Sequence, residues 1–207
     1  MGTNYIAPTW RQPENLNKDK LSNYSLDFDG ASVIDCGTIS ALNGGIGAFS
    51  ISVWFNYTGT PITSTHMLLS GGTGTTNRIY IQLISTDKIR YAMGGGYHDS
   101  DMGTLTSGVW YNLITVQDGT NVNIYLNGVL KDSFTEDNPT SNFATNLRLG
   151  NYISGSYRWN GKMSQCSLFD YALTDGTGGT VDQITYLYNL NNPMAISGAE
   201  PVAYWPL

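Results

Sequence analysis

"WYNLITVQDGTNVNIYLNGV" occupies Trp110–Val129. A strand-like run from Trp110 to Gln117 stops at the polar break Asp118-Gly119-Thr120-Asn121. A second run, Val122 to Leu126, stops at Asn127-Gly128. β-Branched and aromatic residues suit a pleated, half-buried surface. Asn-Gly takes the positive φ angles that a type I′ turn requires. The stretch therefore predicts consecutive antiparallel strands in a meander, with turns wherever the chain must reverse to keep one face inward.

The same grammar extends outward. In "AFSISVWFNYTG" the side chains of Phe49, Ile51, Val53, Phe55 and Tyr57 share one face. Ser50, Ser52 and Asn56 share the other with Trp54. "NYSLDFDGASVIDCG", "HMLLSGG", "NRIYIQLIS", "KIRYAMGGG", "NLRLGNY" and "GKMSQCSLFDYAL" add further short strands, each bounded by glycine or polar residues. In "TVDQITYLYNL", Val181, Ile184, Leu187 and Tyr188 recur at helical spacing and predict one short C-terminal helix. Many short strands and few helices predict an all-β, two-sheet antiparallel sandwich whose alternating apolar faces are buried against each other. Three segments are expected: an extended N-terminal arm over 1–23, the sandwich over 24–192, and an exit segment, or the start of a further module, over 193–207.

Composition narrows the function classes. The 207 residues suit one domain, and 41% hydrophobic content argues against wholesale disorder. Charged residues make up only 13%, the net charge is −6, and ten basic residues are spread along the chain. Phosphate backbones need clustered Lys and Arg, so nucleic acid is not an expected partner. No apolar run reaches membrane-spanning length, so no membrane insertion is expected. The N-terminal residues lack the apolar core of a secretory signal.

Four stretches resemble the laminin-G-like, or concanavalin A-like, jelly-roll family. "YSLDFDGASVIDCG" is similar to its opening motif and "FSISVWFN" to its Trp-bearing strand. "GVWYNLITVQDGTNVNIYLNGVL" resembles its central signature, and "WNGKMSQCSLFDYALT" with "ITYLYN" its last strand and closing helix. They occur in the family's order and span about Tyr24 to Asn192. The resemblance implies a jelly roll with Trp159 as a packed aromatic. The flanks "YIAPTWRQPENLNKDK" and "AEPVAYWPL" resemble segments of structural proteins of marine tailed phages. That implies a virion surface or structural module, such as a capsid decoration or fibre-associated domain. Its end at Leu207 is then expected to lie within a longer chain. Aromatics in otherwise polar termini mark Tyr5, Ile6, Trp10, Tyr204 and Trp205 as expected contacts with neighbouring virion or homo-oligomer subunits.

The alternative function is a lectin-like module for adhesion to cell-surface glycan, in an extracellular setting. Sugar-binding faces stack aromatic rings on pyranoses among polar side chains, and loops on a rigid sandwich commonly carry binding. "GGGYHDSD" offers Tyr97, His98 and Asp99, and "NYISGSYRW" offers Tyr152 and Tyr157. Catalysis is not expected. Retaining glycosidases need two carboxylates about 5 Å apart, and Glu14, Glu136 and Glu200 stand in no such neighbourhood. The pairs Asp27/Asp29 and Asp99/Asp101 read as solvated or turn-capping residues. His66 and His98 accompany no Gly-x-Ser-x-Gly elbow. The family often holds a calcium ion in its loops, but its ligand pattern is not matched at Asp29 or at Asp99 and Asp101, so no metal ligand and no cofactor are assigned. Cys36 and Cys166 replace apolar positions of core strands in the family pattern and are expected as free thiols.

Overall fold

The computed structural model describes residues 24–42, 47–61, 65–119, 121–136, 145–189, 192–196 and 200–207. The expected arm over 1–23, with Tyr5, Ile6 and Trp10, lies outside the described residues. The rest is the all-β jelly-roll sandwich that the alternation predicts.

One sheet contains β1 (Leu26–Asp29), β3 (Ala48–Tyr57), β8 (Tyr111–Asp118), β9 (Asn121–Leu126), β10 (Val129–Thr135), β12 (Asn160–Phe169) and β13 (Ala203–Trp205). Its order is β1-β12-β3-β8-β9-β10, with β13 also paired to β12. The other contains β2 (Ile34–Gly37), β4 (Met67–Gly72), β5 (Arg78–Leu83), β6 (Lys88–Met93), β7 (His98–Asp101) and β11 (Leu147–Leu149). Its order is β2-β11-β4-β5-β6-β7. All the pairings are antiparallel. The meander of the opening stretch is β8, β9 and β10, and its β9–β10 turn has φ of 51° at Asn127 and 77° at Gly128. Both values lie in the left-handed region that a type I′ turn uses.

The core between the sheets takes Phe49, Ile51, Val53, Phe55 and Tyr57 from β3, as their shared face requires. Ile79, Ile81 and Leu83 of β5 and Ile89, Tyr91 and Met93 of β6 face them from the other sheet. Trp159 is fully buried, edge-on to Phe55 at 5.7 Å and to His66 at 5.6 Å, in the packed role the resemblance implies. Cys166 is buried, Cys36 is only partly so, and both are free thiols. Burial pushes the Cys36 thiol up to about 12.

The outer face of the seven-stranded sheet is not open to water. Helix α1 (Gln183–Tyr188) begins at Asp182, whose carboxylate accepts the Thr185 amide at 2.8 Å. Such a cap satisfies one of the amides that a helix start leaves unpaired. Ile184 and Leu187 pack with Ile114, Val116, Tyr125, Phe169 and Leu173 into a second apolar cluster. Ser50, expected on a polar face, is fully buried there: its hydroxyl donates to the Tyr171 carbonyl at 2.9 Å and accepts the Leu173 amide at 2.9 Å.

The exit segment departs from expectation. Ala203–Trp205 returns as β13, placing Trp205 opposite Cys166 and Tyr204 opposite Ser167. Trp205 packs against the main core, and the Tyr204 hydroxyl donates to Gln165 Oε1. β1 covers only the first part of that edge of β12, as far as Met163. The remaining unpaired backbone of β12 takes the returning strand, because a buried ladder edge must find partners. Tyr204 and Trp205 are thus engaged by their own domain.

Candidate functional site

The outer face of the six-stranded sheet carries the candidate site, buried at its centre around Tyr80 and Ala92 and exposed at its border at Tyr97 and Tyr157. Directly opposed residues of an antiparallel pair share a face. Tyr80 stands opposite Ser70 on one side and Ala92 on the other. Arg90 stands opposite Gln82 and Asp99, and Arg148 opposite Ser70. The period of two that sends Ile79, Ile81 and Leu83 inward therefore sends Arg78, Tyr80 and Gln82 outward. Small Ala92 leaves room beside Tyr80, and Tyr80, Met67, Ala92 and Tyr152 form a small apolar cluster separate from the main core.

The loop after β11 folds over this face. Gly150 starts it with φ of 88°, and a Cβ there would lie 2.5 Å from the Phe28 ring, so only glycine fits. The Gly150 amide donates to the Leu68 carbonyl and the Trp159 amide to the Gly150 carbonyl, closing the loop at its base. Arg148 Nη1 donates to the Ile153 carbonyl at 2.8 Å. Tyr152 meets Tyr80 edge-on at 5.7 Å, and Tyr157 meets Tyr152 edge-on at 5.6 Å. Edge-to-face pairs at these separations are favourable and fix the rings.

Two arginines tie the rings together. The Arg78 guanidinium lies 5.1 Å from the centre of the Tyr80 ring. Its Nε donates to the Gly94 carbonyl at 3.1 Å and its Nη1 to the Tyr152 hydroxyl at 3.0 Å. Arg90 lies 3.9 Å from the centre of the Tyr97 ring and forms a two-pronged bond to Asp99, at 2.6 and 2.8 Å. That geometry gives direction as well as charge attraction. Tyr97 remains 60% exposed, so it offers ring surface to solvent. Burial raises the Tyr80 pKa, while Arg78 and Arg90 oppose the rise, so Tyr80 stays a neutral donor at pH 7.

Of the residues expected to bind glycan, Tyr97, Asp99, Tyr152 and Tyr157 lie on or at the border of this face. His98 does not. The glycine-rich "GGGYHDSD" predicts a loop, but His98–Asp101 is the edge strand β7, and strand alternation turns neighbours to opposite sides. His98 stacks on Phe134 at 3.8 Å, and its Nε2 lies 2.9 Å from Asp132 Oδ2. Arg78, Tyr80 and Arg90 were not singled out from the sequence. Their signal was the alternation of "NRIYIQLIS" and "KIRYAM", which shows that they share a face but not that the face is free.

Beyond Tyr157 the surface drops into an open cleft of about 380 Å³, lined by Gly30, Thr65, His66, Tyr157, Arg158 and Asn160 among others. His66 and Tyr157 have φ of 59° and 57°. Left-handed backbone at non-glycine residues is uncommon and concentrates at functional positions. His66 Nε2 lies 3.0 Å from the Thr58 carbonyl, which can only accept, so that nitrogen carries the proton and Nδ1 accepts from the Thr65 hydroxyl at 2.6 Å. Burial lowers its pKa, keeping the ring neutral.

The acidic candidates are otherwise engaged. Asp29 accepts the Ala31 and Ser32 amides and the Ser32 hydroxyl, a turn cap that lowers its pKa, the Ala31 bond contributing most. Asp101 accepts the Gly103 amide at 2.8 Å. No group of three or more His, Cys, Asp or Glu side chains is placed to hold a metal among the described residues.

A laminin G-type family model, described as the concanavalin A-like lectin/glucanases superfamily, matches residues 29–177. No curated protein sequence matches the chain. Similar solved structures include domain 4 of AbnA, a GH43 extracellular arabinanase from Geobacillus stearothermophilus, in complex with arabinotriose. Its TM-score is 0.60 at 21% identity, over 79% of this chain and 76% of that one. The heptameric SAP-like pentraxin of Limulus polyphemus has a TM-score of 0.63 at 13% identity, over 88% and 91% of the two chains. The CBM40 of the Ruminococcus gnavus IT-sialidase, bound to α2,3 sialyllactose, has a TM-score of 0.58 at 13% identity, over 74% and 92%. At these identities the likeness concerns the fold alone.

Proposed function

This chain belongs to the concanavalin A-like lectin/glucanases superfamily, and on that premise we propose that it is a non-catalytic carbohydrate-binding module whose ligand lies across the outer face of the six-stranded sheet. One observation carries the reading: Tyr97, Arg90, Tyr80, Arg78, Tyr152 and Tyr157 adjoin one another on one sheet face, with the Tyr97 and Tyr157 rings exposed at its border. Rings present flat apolar area to the axial hydrogens of a pyranose, and guanidinium and phenol groups bond its hydroxyls. Because the rings are already fixed by one another, little side-chain freedom is lost on binding. The open shape fits a stretch of polysaccharide lying flat, with the cleft beyond Tyr157 receiving a residue at one end. Sugar-bound structures among proteins of similar fold support the reading.

Hydrolysis has less support. The carboxylates on this face are engaged: Asp99 is held by both oxygens to Arg90, Asp101 accepts the Gly103 amide and Asp35 the Gly37 amide, whereas glycoside cleavage requires a facing acid and base. The virion role came from the resemblance of the flanking segments, with Tyr5, Ile6, Trp10, Tyr204 and Trp205 as its expected contacts. The first three lie outside the described residues and the last two are engaged in β13, so the described structure adds no support to that reading.

The test is a glycan array and affinity electrophoresis on soluble polysaccharides, with and without a calcium chelator, using the native chain and Tyr152→Ala. Binding that Tyr152→Ala weakens while a cooperative melting transition remains supports the module. Failure to bind any neutral or acidic glycan, or release of reducing sugar, contradicts it.

A further inference from the structure

Resting on the carbohydrate reading, we infer that the ligand is an acidic glycan carrying a sugar carboxylate, and that Arg78 is the residue that recognises it. Charge is unevenly placed on this chain. The whole is acidic, at −6. Yet Arg78, Arg90 and Arg148 share the outer face of one sheet, and Arg158 lies in the loop that borders it. Asp99 takes the charge of Arg90, Lys88 stands opposite Asp101, and Arg148 stands opposite Asp35. Arg78, in the middle of the rings, forms no ion pair among the described residues; its bonds go to a carbonyl and a phenol, which are neutral.

Arg78 is half-buried. A guanidinium removed from water costs free energy unless an anion or several hydrogen bonds compensate it. Two of its five N–H groups are bonded, leaving three. Those two bonds also lock the plane of the fork over Tyr80. A planar, pre-oriented fork with free donors matches a carboxylate. Among the described residues Arg78 has no such partner, so a ligand carboxylate is the group that fits.

The same bookkeeping favours a sugar acid over a sulfated or phosphorylated polymer. A dense polyanion gains affinity by contact with many clustered cations. Here Arg90 is neutralised by Asp99, so the described residues of this face offer no cluster of free cations for such a chain. A uronate brings one carboxylate per sugar, with ring faces beside it for the tyrosines.

Titration calorimetry tests this with polygalacturonate, alginate, hyaluronan and xanthan, each beside its carboxyl-reduced form, and with dextran sulfate. The expected result is at least one carboxylated polymer bound about tenfold or more tightly than its reduced form, the scale of one charge-assisted bond. Arg78→Gln is expected to erase that difference by weakening the acidic form about tenfold more than the reduced form. Arg78→Lys, which keeps the charge, is expected to restore part of the preference. If Arg78 served only to hold Tyr152, Arg78→Gln would weaken acidic and reduced forms alike, and the inference would fall. Equal binding of acidic and reduced forms, or tightest binding of dextran sulfate, would also overturn it while leaving a carbohydrate-binding module in place. Binding of none of these polymers, together with a blank glycan array, would remove both readings.

Discussion

The two sheets present two outer faces, and they have opposite fates. On the seven-stranded sheet, Ile114 and Val116 point away from the main core, and the segment from Tyr171 to Ile196 covers them. On the six-stranded sheet, Tyr80 and Ala92 point outward in the same way, but only the loop around Tyr152 reaches over them. The first face is a second core. The second is a smaller one, apolar and aromatic in the middle, charged at the edges, and accessible at its border, at Tyr97 and Tyr157. An antiparallel sheet can afford one solvated face, and here that face is rich in rings and guanidinium groups rather than in small polar residues. The difference identifies which side of the sandwich is available for recognition.

The largest break in this comparison should come from the covered face. Leu187 is 2% exposed beneath the helix. Leu187→Ala should cost about 2–5 kcal/mol by chemical denaturation and leave glycan affinity unchanged in the protein that remains folded. A smaller loss of stability should follow from Gly150→Ala. A Cβ there meets the Phe28 ring at 2.5 Å, at a positive φ whose strain costs about 1–3 kcal/mol. Unlike the helix variant, it should also weaken glycan binding, since it shifts the base of the loop that carries Tyr152. Asp182→Ala removes the helix cap and should cost about 1 kcal/mol, again with no effect on the open face. Tyr152→Ala shifts the balance toward binding: affinity falls about tenfold, or about 1.4 kcal/mol, while the loss of stability stays well below that of Leu187→Ala.

The smallest effect sharpens the border of the site. The His66 pKa is lowered in the folded state, with burial as the main cause. The unfolded chain therefore binds a proton at higher pH than the native one. Stability is full above the unfolded value of about 6.5 and declines as pH falls from there toward the folded value. His66→Gln should flatten this part of the pH–stability curve, measured by thermal melts, without removing the loss at lower pH where carboxylates such as Asp29 and Asp175 protonate.

Much of this architecture was legible in the residues. Period-two alternation named the inward face of β3 correctly, because only strands pair that period with a two-layer core. Asn127-Gly128 announced its turn, since few other pairs tolerate both angles. The helix at Ile184 and Leu187 was readable from spacing. What could not be read was which outward face would be covered. Ser50 and Asn56 look like solvent-facing residues, and their burial depends on the covering segments that supply their hydrogen-bond partners, Tyr171 and Gly108. The site was legible in part for the same reason. Tyr97, Tyr152 and Tyr157 stood out in glycine-rich loops. Arg78, Tyr80 and Arg90 sat inside ordinary strands, where only long-range packing tells a ring of the outer face from one of the main core. His98 was misplaced because a four-residue edge strand was taken for loop. Trp205 was misplaced because its partner, the free stretch of β12 beyond Met163, is a consequence of topology.

The most direct test is a backbone amide NMR titration of the native chain with an oligosaccharide that the array identifies. Shift changes concentrated at Arg78, Tyr80, Arg90, Ala92, Tyr97 and Tyr152 are the predicted result. Changes concentrated instead at Ser52, Trp54, Asn112 and Tyr188, on the helix side of the sandwich, would contradict the account.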